Sequence, residues 1–596
     1  MKLAAFVLLA CSLTAAGPDA KRYQPAWESL DARPMPEWFN EAKFGIFVVW
    51  GPYSVPAYAP PDGRRGEAYA EWYGKRMEQK DAAAREFHLK NYGEGFDYEE
   101  FADQFKAELW DPDYWADLFV RAGARYVVTT ANYHDGFALW PTEYARTNDT
   151  DRWNAMVRGP RRDLLGELNE AGRKRGLRMG IYYSLYEWWH PLWLTDRERY
   201  VTEHLHPKFQ EVVTRYKPPV IYLDGEWEMD YTQWRGEELA AWLFNDSPVA
   251  DVVVVNDRWG NTRGLHGSYF SSEHGGGDNP PTHPWQEDRG IGKSYGYNRA
   301  ENIHHYETAG DLVRLLSKVA GNGGNLLLGV GPTADGRIPV IMQDRLLAIG
   351  EWLRVNGEAI YGSRANPFWP RRFPWGTATA RADKIYLHLH DRGAREISLR
   401  GLASRVRSAR LLADPAARVR VTKLRGGVRI RLPETLPDEP VRVIALEFNE
   451  APRADTTFHQ DDGGAVDLHI RGMTVHGQRA RVHFDGYRRE AHMAGWTDPS
   501  EYLTADFIVR EPGRFAVELV YSSDEASAGS EVAVEADGQR LTGITQAAER
   551  PGEYETLALG SIRLRKTGRC RLTVRAASAA SWKGMCLQSV RLVPLR

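Results

Sequence analysis

The 596-residue chain carries 77 Lys and Arg against 80 Asp and Glu, a formal charge of −3, with 43% hydrophobic and 26% charged residues. That balance excludes a disordered or collagen-like chain and supplies enough apolar matter for a large core. There is no basic excess of the kind nucleic-acid binding requires, so no nucleic-acid partner is expected. At roughly 100–200 residues per domain the length suggests about three domains. The chain also holds 21 tryptophans, a surplus over packing needs, and flat apolar rings suit the C–H faces of sugars.

Residues 1–16, MKLAAFVLLACSLTAA, place Lys2 before a short apolar run and end on small residues, the pattern of a signal peptide. The run is too short to cross a bilayer, and no other stretch is long and apolar enough, so no membrane span is expected. A secreted or periplasmic protein follows, with Cys11 as an alternative lipoprotein acceptor. Beyond that leader only Cys570 and Cys586 remain, and an oxidising compartment would allow them to pair.

From residue 44 to about 356, short β-rich runs alternate with helical stretches. Strands are predicted at FGIFVVWG (44–51), RYVVTTANYHDG (125–136), LRMGIYYS (177–184), PVIYLDG (219–225), DVVVVND (251–257) and NLLLGVGP (325–332). Helices are predicted at 113–123, 162–176 and 308–321. Near-continuous apolar strands separated by helices point to an α/β fold, a (β/α)8-like barrel over residues 17–358. After about Gly362, alternating strands such as KIYLHLH (384–390) and VRVIALEF (441–448) read as a β-sandwich, residues 359–450. A second β-sandwich is expected over 451–596, from segments such as FAVELVY (515–521) and RCRLTVRAA (569–577).

Polar residues cluster where these strands end: Tyr133-His134-Asp135-Gly136, Asp224-Gly225-Glu226 and Asn256-Asp257-Arg258. In a barrel, the C-terminal strand ends carry the chemistry. A retaining glycosidase needs two carboxyl groups flanking one bond, one as nucleophile and one as acid and then base. Asp224 is the candidate nucleophile, ending an apolar strand with Gly225 leaving its approach open. Glu273 in YFSSEHGGG and Glu287 in PWQEDRG compete for the acid/base role. His134 suits a hydroxyl contact, and Arg258 a counter-charge to the carboxylates. Tyr182-Tyr183-Ser184, Glu71-Trp72-Tyr73 and Trp50 are candidates for the pocket walls. No H-E-x-x-H metal-binding motif and no G-x-x-x-x-G-K-[ST] phosphate loop is present.

These segments, in this order, resemble glycoside hydrolase family 29, the retaining α-L-fucosidases. The motifs are WFNEAKFGIFVVWGPYSVPAYAP, YAEWY, HDGFALW, GIYYSLYEW, LDGEWE, VVNDRWG, RGIGKSYGYN and GGNLLLGVGPTADG, covering roughly residues 35–362. The resemblance implies Asp224 as nucleophile and favours Glu273 over Glu287 as acid/base. It places Glu71, Trp72, His134, Tyr183 and Arg258 around a glycoside substrate, with Trp50 and Tyr133 beside them, and needs no metal or other cofactor. Two positions depart from the family pattern: Val49 and Tyr133 stand where the family carries histidines that contact fucose hydroxyls. A hydroxyl buried against Val49 loses water and gains no partner, a penalty of about 1–3 kcal/mol. Three readings follow: a fucosidase with compensating contacts, an exo-α-L-glycosidase for a sugar altered at C4 or C5 such as an α-L-glucoside or α-L-galactoside, and a non-catalytic sugar binder. Retention of both carboxylates opposes the last. The final segment resembles jelly-roll modules of secreted carbohydrate enzymes, structural or glycan-binding, with Trp496 and Trp582 as its candidate sugar platforms.

Overall fold

The computed structural model describes residues 22–62, 69–277, 279–484, 491–549 and 553–595. The predicted leader and Cys11 lie outside the described residues. Eight parallel strands form the first sheet: β1 (Phe44–Val48), β2 (Tyr126–Asn132), β3 (Arg178–Ser184), β4 (Val220–Asp224), β5 (Val254–Val255), β6 (Phe270–Glu273), β7 (Trp285–Gly290) and β8 (Asn325–Val330). Their order is β5-β4-β3-β2-β1-β8-β7-β6, so the sheet curls round β1 and stays unpaired between β5 and β6. Helices α1 (Pro112–Arg121), α2 (Leu164–Lys174), α3 (His206–Tyr216), α4 (Gly236–Asn245), α5 (Ala309–Gly321) and α6 (Val340–Asn356) cover it. Asp111, Asp163 and Thr308 start α1, α2 and α5 by accepting a backbone N–H with their side chains.

The α/β barrel-like fold agrees with the sequence, but its helical alternation lapses between β5 and β7, where loops replace helices. Two strands differ from expectation. DVVVVND is extended only at Val254–Val255. Conversely, β7 reads WQEDRG and is buried along its whole length although four of its six residues are polar. Each polar side chain makes at least one hydrogen bond. Gln286 accepts from the Tyr126 hydroxyl (2.7 Å), and Glu287 from Ser272 Oγ (2.7 Å) and the Gly276 N–H (2.9 Å). Asp288 accepts from the Tyr222 hydroxyl (3.0 Å), and Arg289 donates to Glu307 (2.7 Å). Such pairing offsets the desolvation that would otherwise forbid the strand.

The next region packs the sheet β12-β15-β10-β9 against β11-β14-β13, where β9 is Gly376–Arg381, β10 Lys384–Leu389, β11 Glu396–Arg400, β12 Ser408–Leu411, β13 Arg420–Leu424, β14 Gly427–Arg431 and β15 Arg442–Glu447. Its outer residues Tyr386, Val441, Val443 and Ala445 join the barrel's own apolar core. The last region is a further strand sandwich with a separate core around Leu503, Phe507, Leu519 and Val574. Trp496 and Trp582 lie inside that core, rings 4.7 Å apart, with each Nε1 bonded to a backbone carbonyl. They are therefore not the exposed sugar platforms the sequence suggested. No disulfide joins Cys570 and Cys586, which lie on strands of different sheets.

Candidate active site

At the C-terminal ends of the parallel strands lies a pocket of about 450 Å3. Strand alternation decides which side chains reach it. Phe47 of β1 and Val49 just past its end, Tyr222 and Asp224 from β4, Glu273 from β6 and Asp288 from β7 all line it. The register pairs Tyr182 with Tyr222 and Ser184 with Asp224, so these four share one face. Tyr182, Tyr133 and Tyr222 form a wall, with Tyr182 stacked on Tyr133 (5.5 Å, 18°) and on Tyr222 (6.0 Å, 15°).

Arg258 joins the two candidate carboxylates. Nη1 donates to Asp224 Oδ1 and Nη2 to Glu273 Oε2 (3.2 Å), while Nε donates to Ser271 Oγ (3.1 Å). The guanidinium is 2% exposed and lies over the Tyr222 ring, 4.9 Å from its centre. Burial would push the Asp224 carboxyl up, but Arg258, His134 and Tyr182 outweigh it and hold it well below the usual carboxylate range. Tyr182 donates to Asp224 Oδ2 (2.7 Å), and His134 Nε2 stands 3.5 Å from the same oxygen. The Ser184 hydroxyl donates to the Tyr186 carbonyl (2.5 Å), so it accepts from His134 Nδ1 (2.6 Å) and fixes that ring. Gly225, at φ +78°, turns the chain after Asp224; a Cβ there would stand 2.4 Å from the Tyr186 ring.

Two further acids complete the pocket. Glu71 is fully buried, accepts the Gly296 N–H at Oε2 (3.0 Å), and leaves Oε1 without a hydrogen-bond partner among the described residues. Burial pushes its pKa up to about 7. Asp288 Oδ2 accepts from Tyr222 and Tyr295 (3.2 Å), its Oδ1 has no hydrogen-bond partner among the described residues, and burial raises it well above the usual range. A pocket with one carboxylate held ionised and others held neutral can attack, protonate and donate hydrogen bonds at the same pH.

Of the residues singled out from sequence, the structure brings together Asp224, Glu273, His134, Tyr133, Trp72, Glu71, Arg258 and Val49. Trp50 and Tyr183 are corrections. Trp50 faces away, bonding Thr333 O through Nε1 (2.9 Å) and packing on Trp115; Tyr183 faces Phe209 and Leu205. Each sits one position out of phase with a lining neighbour, Val49 and Tyr182. Glu287 is out of phase with Asp288 and braces the glycine loop after Glu273 from behind the sheet. Sequence reasoning missed Tyr69, Tyr222, Trp227, Arg263, Asp288 and Tyr295, which also line the pocket. Tyr69 donates to Glu273 Oε1 (3.3 Å), and counting by twos back from Asp224 would have found Tyr222.

The sequence matches the model of the α-L-fucosidase family over residues 10–358. The tissue α-L-fucosidase of Rattus norvegicus is 45% identical over 367 residues, 60% of this chain and 76% of its own. The Homo sapiens tissue enzyme is 43% identical over 364 residues, 60% of this chain and 74% of its own. The crystal structure of Thermotoga maritima α-fucosidase with a mechanism-based inhibitor superposes at a TM-score of 0.62 and 37% identity, covering 72% of this chain and all of that one. An α-L-fucosidase from Vibrio sp. strain EJY3 covers 94% of this chain and 97% of its own at a TM-score of 0.70, and at 22% identity it speaks for the fold alone. The chain is a glycoside hydrolase and belongs to the α-L-fucosidase family.

Proposed function

We propose that the enzyme removes terminal α-L-fucosyl residues with retention of configuration, through a covalent glycosyl-enzyme. Asp224 attacks the anomeric carbon while Glu273 protonates the departing oxygen. Glu273 then takes a proton from the water that opens the ester. One observation carries this reading: a single buried guanidinium, Arg258, bonds both carboxylates. That favours the separation of roughly 5–5.5 Å used by retaining enzymes over the wider inverting one. Asp224→Gly should lower turnover about 10⁴-fold or more, and added azide should restore product as a β-configured glycosyl azide. Glu273→Ala should lose far more on poor leaving groups than on activated aryl glycosides. If Glu287→Ala shows that signature and Glu273→Ala does not, the acid/base assignment is wrong.

Val49 supports a second reading, an exo-α-L-glycosidase for a sugar altered at C4 or C5. Its side chain and Phe47 make an apolar stretch of wall where no hydrogen bond is offered. Aryl α-L-fucoside, galactoside, glucoside and rhamnoside, run side by side, separate the two readings. On the fucoside, Val49→His should raise kcat/KM by about ten-fold, the worth of one buried hydrogen bond. A well-folded variant with no gain removes Val49 as a determinant. We further infer export from the leader pattern of residues 1–16, which N-terminal sequencing of the mature chain tests.

A further inference from the structure

Among the described residues, Trp227 is the one exposed tryptophan, 48% exposed, and it stands in the lining of the catalytic pocket. Its place is fixed. It belongs to the single 3-10 turn Glu226–Glu228, entered through the left-handed Gly225 directly after Asp224. Inward, its ring lies nearly parallel to Trp72 (6.3 Å, 23°) and meets the edges of His134 (5.5 Å, 77°) and Tyr186 (5.7 Å, 75°). An indole braced on one side and open on the other is a platform: leaving that area in water is unfavourable, and a flat apolar ligand face relieves it.

The surroundings define the ligand. Arg76 and Asp81 form a pair (3.9 Å) and, with Gln79 and Arg263, line the same pocket. Arg263 Nε is committed to the buried Glu226 carboxylate (2.5 Å). A cation, a carboxylate and an amide side by side serve hydroxyl groups, which both donate and accept; they do not serve an acyl chain. A ring with C–H patches on its faces and hydroxyls at its edge is a pyranose.

We propose that Trp227, with Arg76, Gln79 and Asp81, forms a leaving-group subsite for a neutral pyranose. The inference rests on Asp224 and Glu273 being the catalytic pair, because the leaving oxygen must lie at Glu273 for its sugar to reach this platform.

The test compares two substrates that share the fucosyl group: α-L-fucosyl fluoride, which carries no leaving-group sugar, and an α-L-fucosylated lactose. Trp227→Ala should lower kcat/KM on fucosylated lactose at least about ten-fold more than on the fluoride, and Trp227→Phe should recover part of the difference. Equal losses on the two substrates, or none on fucosylated lactose, overturn the subsite. Lactose titrated into wild type should change the tryptophan fluorescence, and the change should be absent in Trp227→Ala. A wild type that hydrolyses neither fucosyl substrate overturns the fucoside reading, and the lactose titration then still decides the subsite: no response rejects it.

Discussion

The chemistry of this pocket depends on how few of its charges are allowed to stay charged. Asp224 is buried deeply enough to be neutral were it alone, and only Arg258, His134 and Tyr182 keep it a carboxylate. Glu71 has no such cation, and burial pushes it up to about 7. With Oε2 occupied by the Gly296 N–H, its proton sits on the unpartnered Oε1, where it can be donated to a sugar hydroxyl. Raising the pH through about 7 removes that donor. Because kcat/KM reports the free enzyme, it should fall about ten-fold per pH unit above that point in wild type. Glu71→Gln keeps a donor without a titration and should abolish that limb; a limb that persists assigns it to another group. The sequence offered Glu71 only as one of three adjacent wall candidates, because burial, which sets its proton affinity, is not written in the local pattern.

At the scale of the strand, alternation explains both what was legible and what was not. The apolar β1, β2, β3, β4 and β8 were readable as strands, and Asp224 and Arg258 were readable at or just beyond strand ends. The misplacements of Trp50 and Tyr183 are each a slip of one position. Correcting Tyr183 needs the pairing of β3 with β4, a long-range fact: once Ser184 stands beside Asp224, Tyr182 must face the pocket and Tyr183 the helices. Strand β7 was invisible for a different reason. Its hydrophobic pattern is absent because hydrogen bonds to Tyr126, Ser272, Tyr222 and Glu307 replace apolar packing, and those partners come from other strands and loops. The same strand resolves the two rival glutamates. Glu287 pairs with Ser272 on the outward face, whereas Glu273 shares the inward face with its register partner Asp288.

Across the whole molecule, the three regions are not equally attached. The middle sandwich shares an apolar core with the barrel, and polar bonds pin the seam: Trp352 Nε1 to Val441 O (2.9 Å), Asn356 to Glu439 (2.9 Å) and Thr379 Oγ1 to Ala359 O (2.7 Å). The last sandwich buries its own core and meets the middle one partly through surface pairs such as Arg400 with Asp462 (3.0 Å). A chain ending at residue 450 should therefore keep its activity within about two-fold, as expected of a separable domain. Ending it at 362 strips apolar surface from α6 and should give an aggregated or inactive product. Soluble, active enzyme from the shorter chain would refute the shared core. Composition and alternation showed that sandwiches follow the barrel, but not which of them is fused to it, since a shared core is a property of surfaces brought together.

That asymmetry separates two kinds of inheritance within one polypeptide. Substitutions in the middle sandwich are felt by α6 and, through it, by the barrel wall, so that sandwich must change in step with the enzyme. Among the described residues, the last sandwich shares no apolar core with the barrel. Exchange or loss of that sandwich would leave the barrel's own core, and the bond the enzyme cleaves, unchanged.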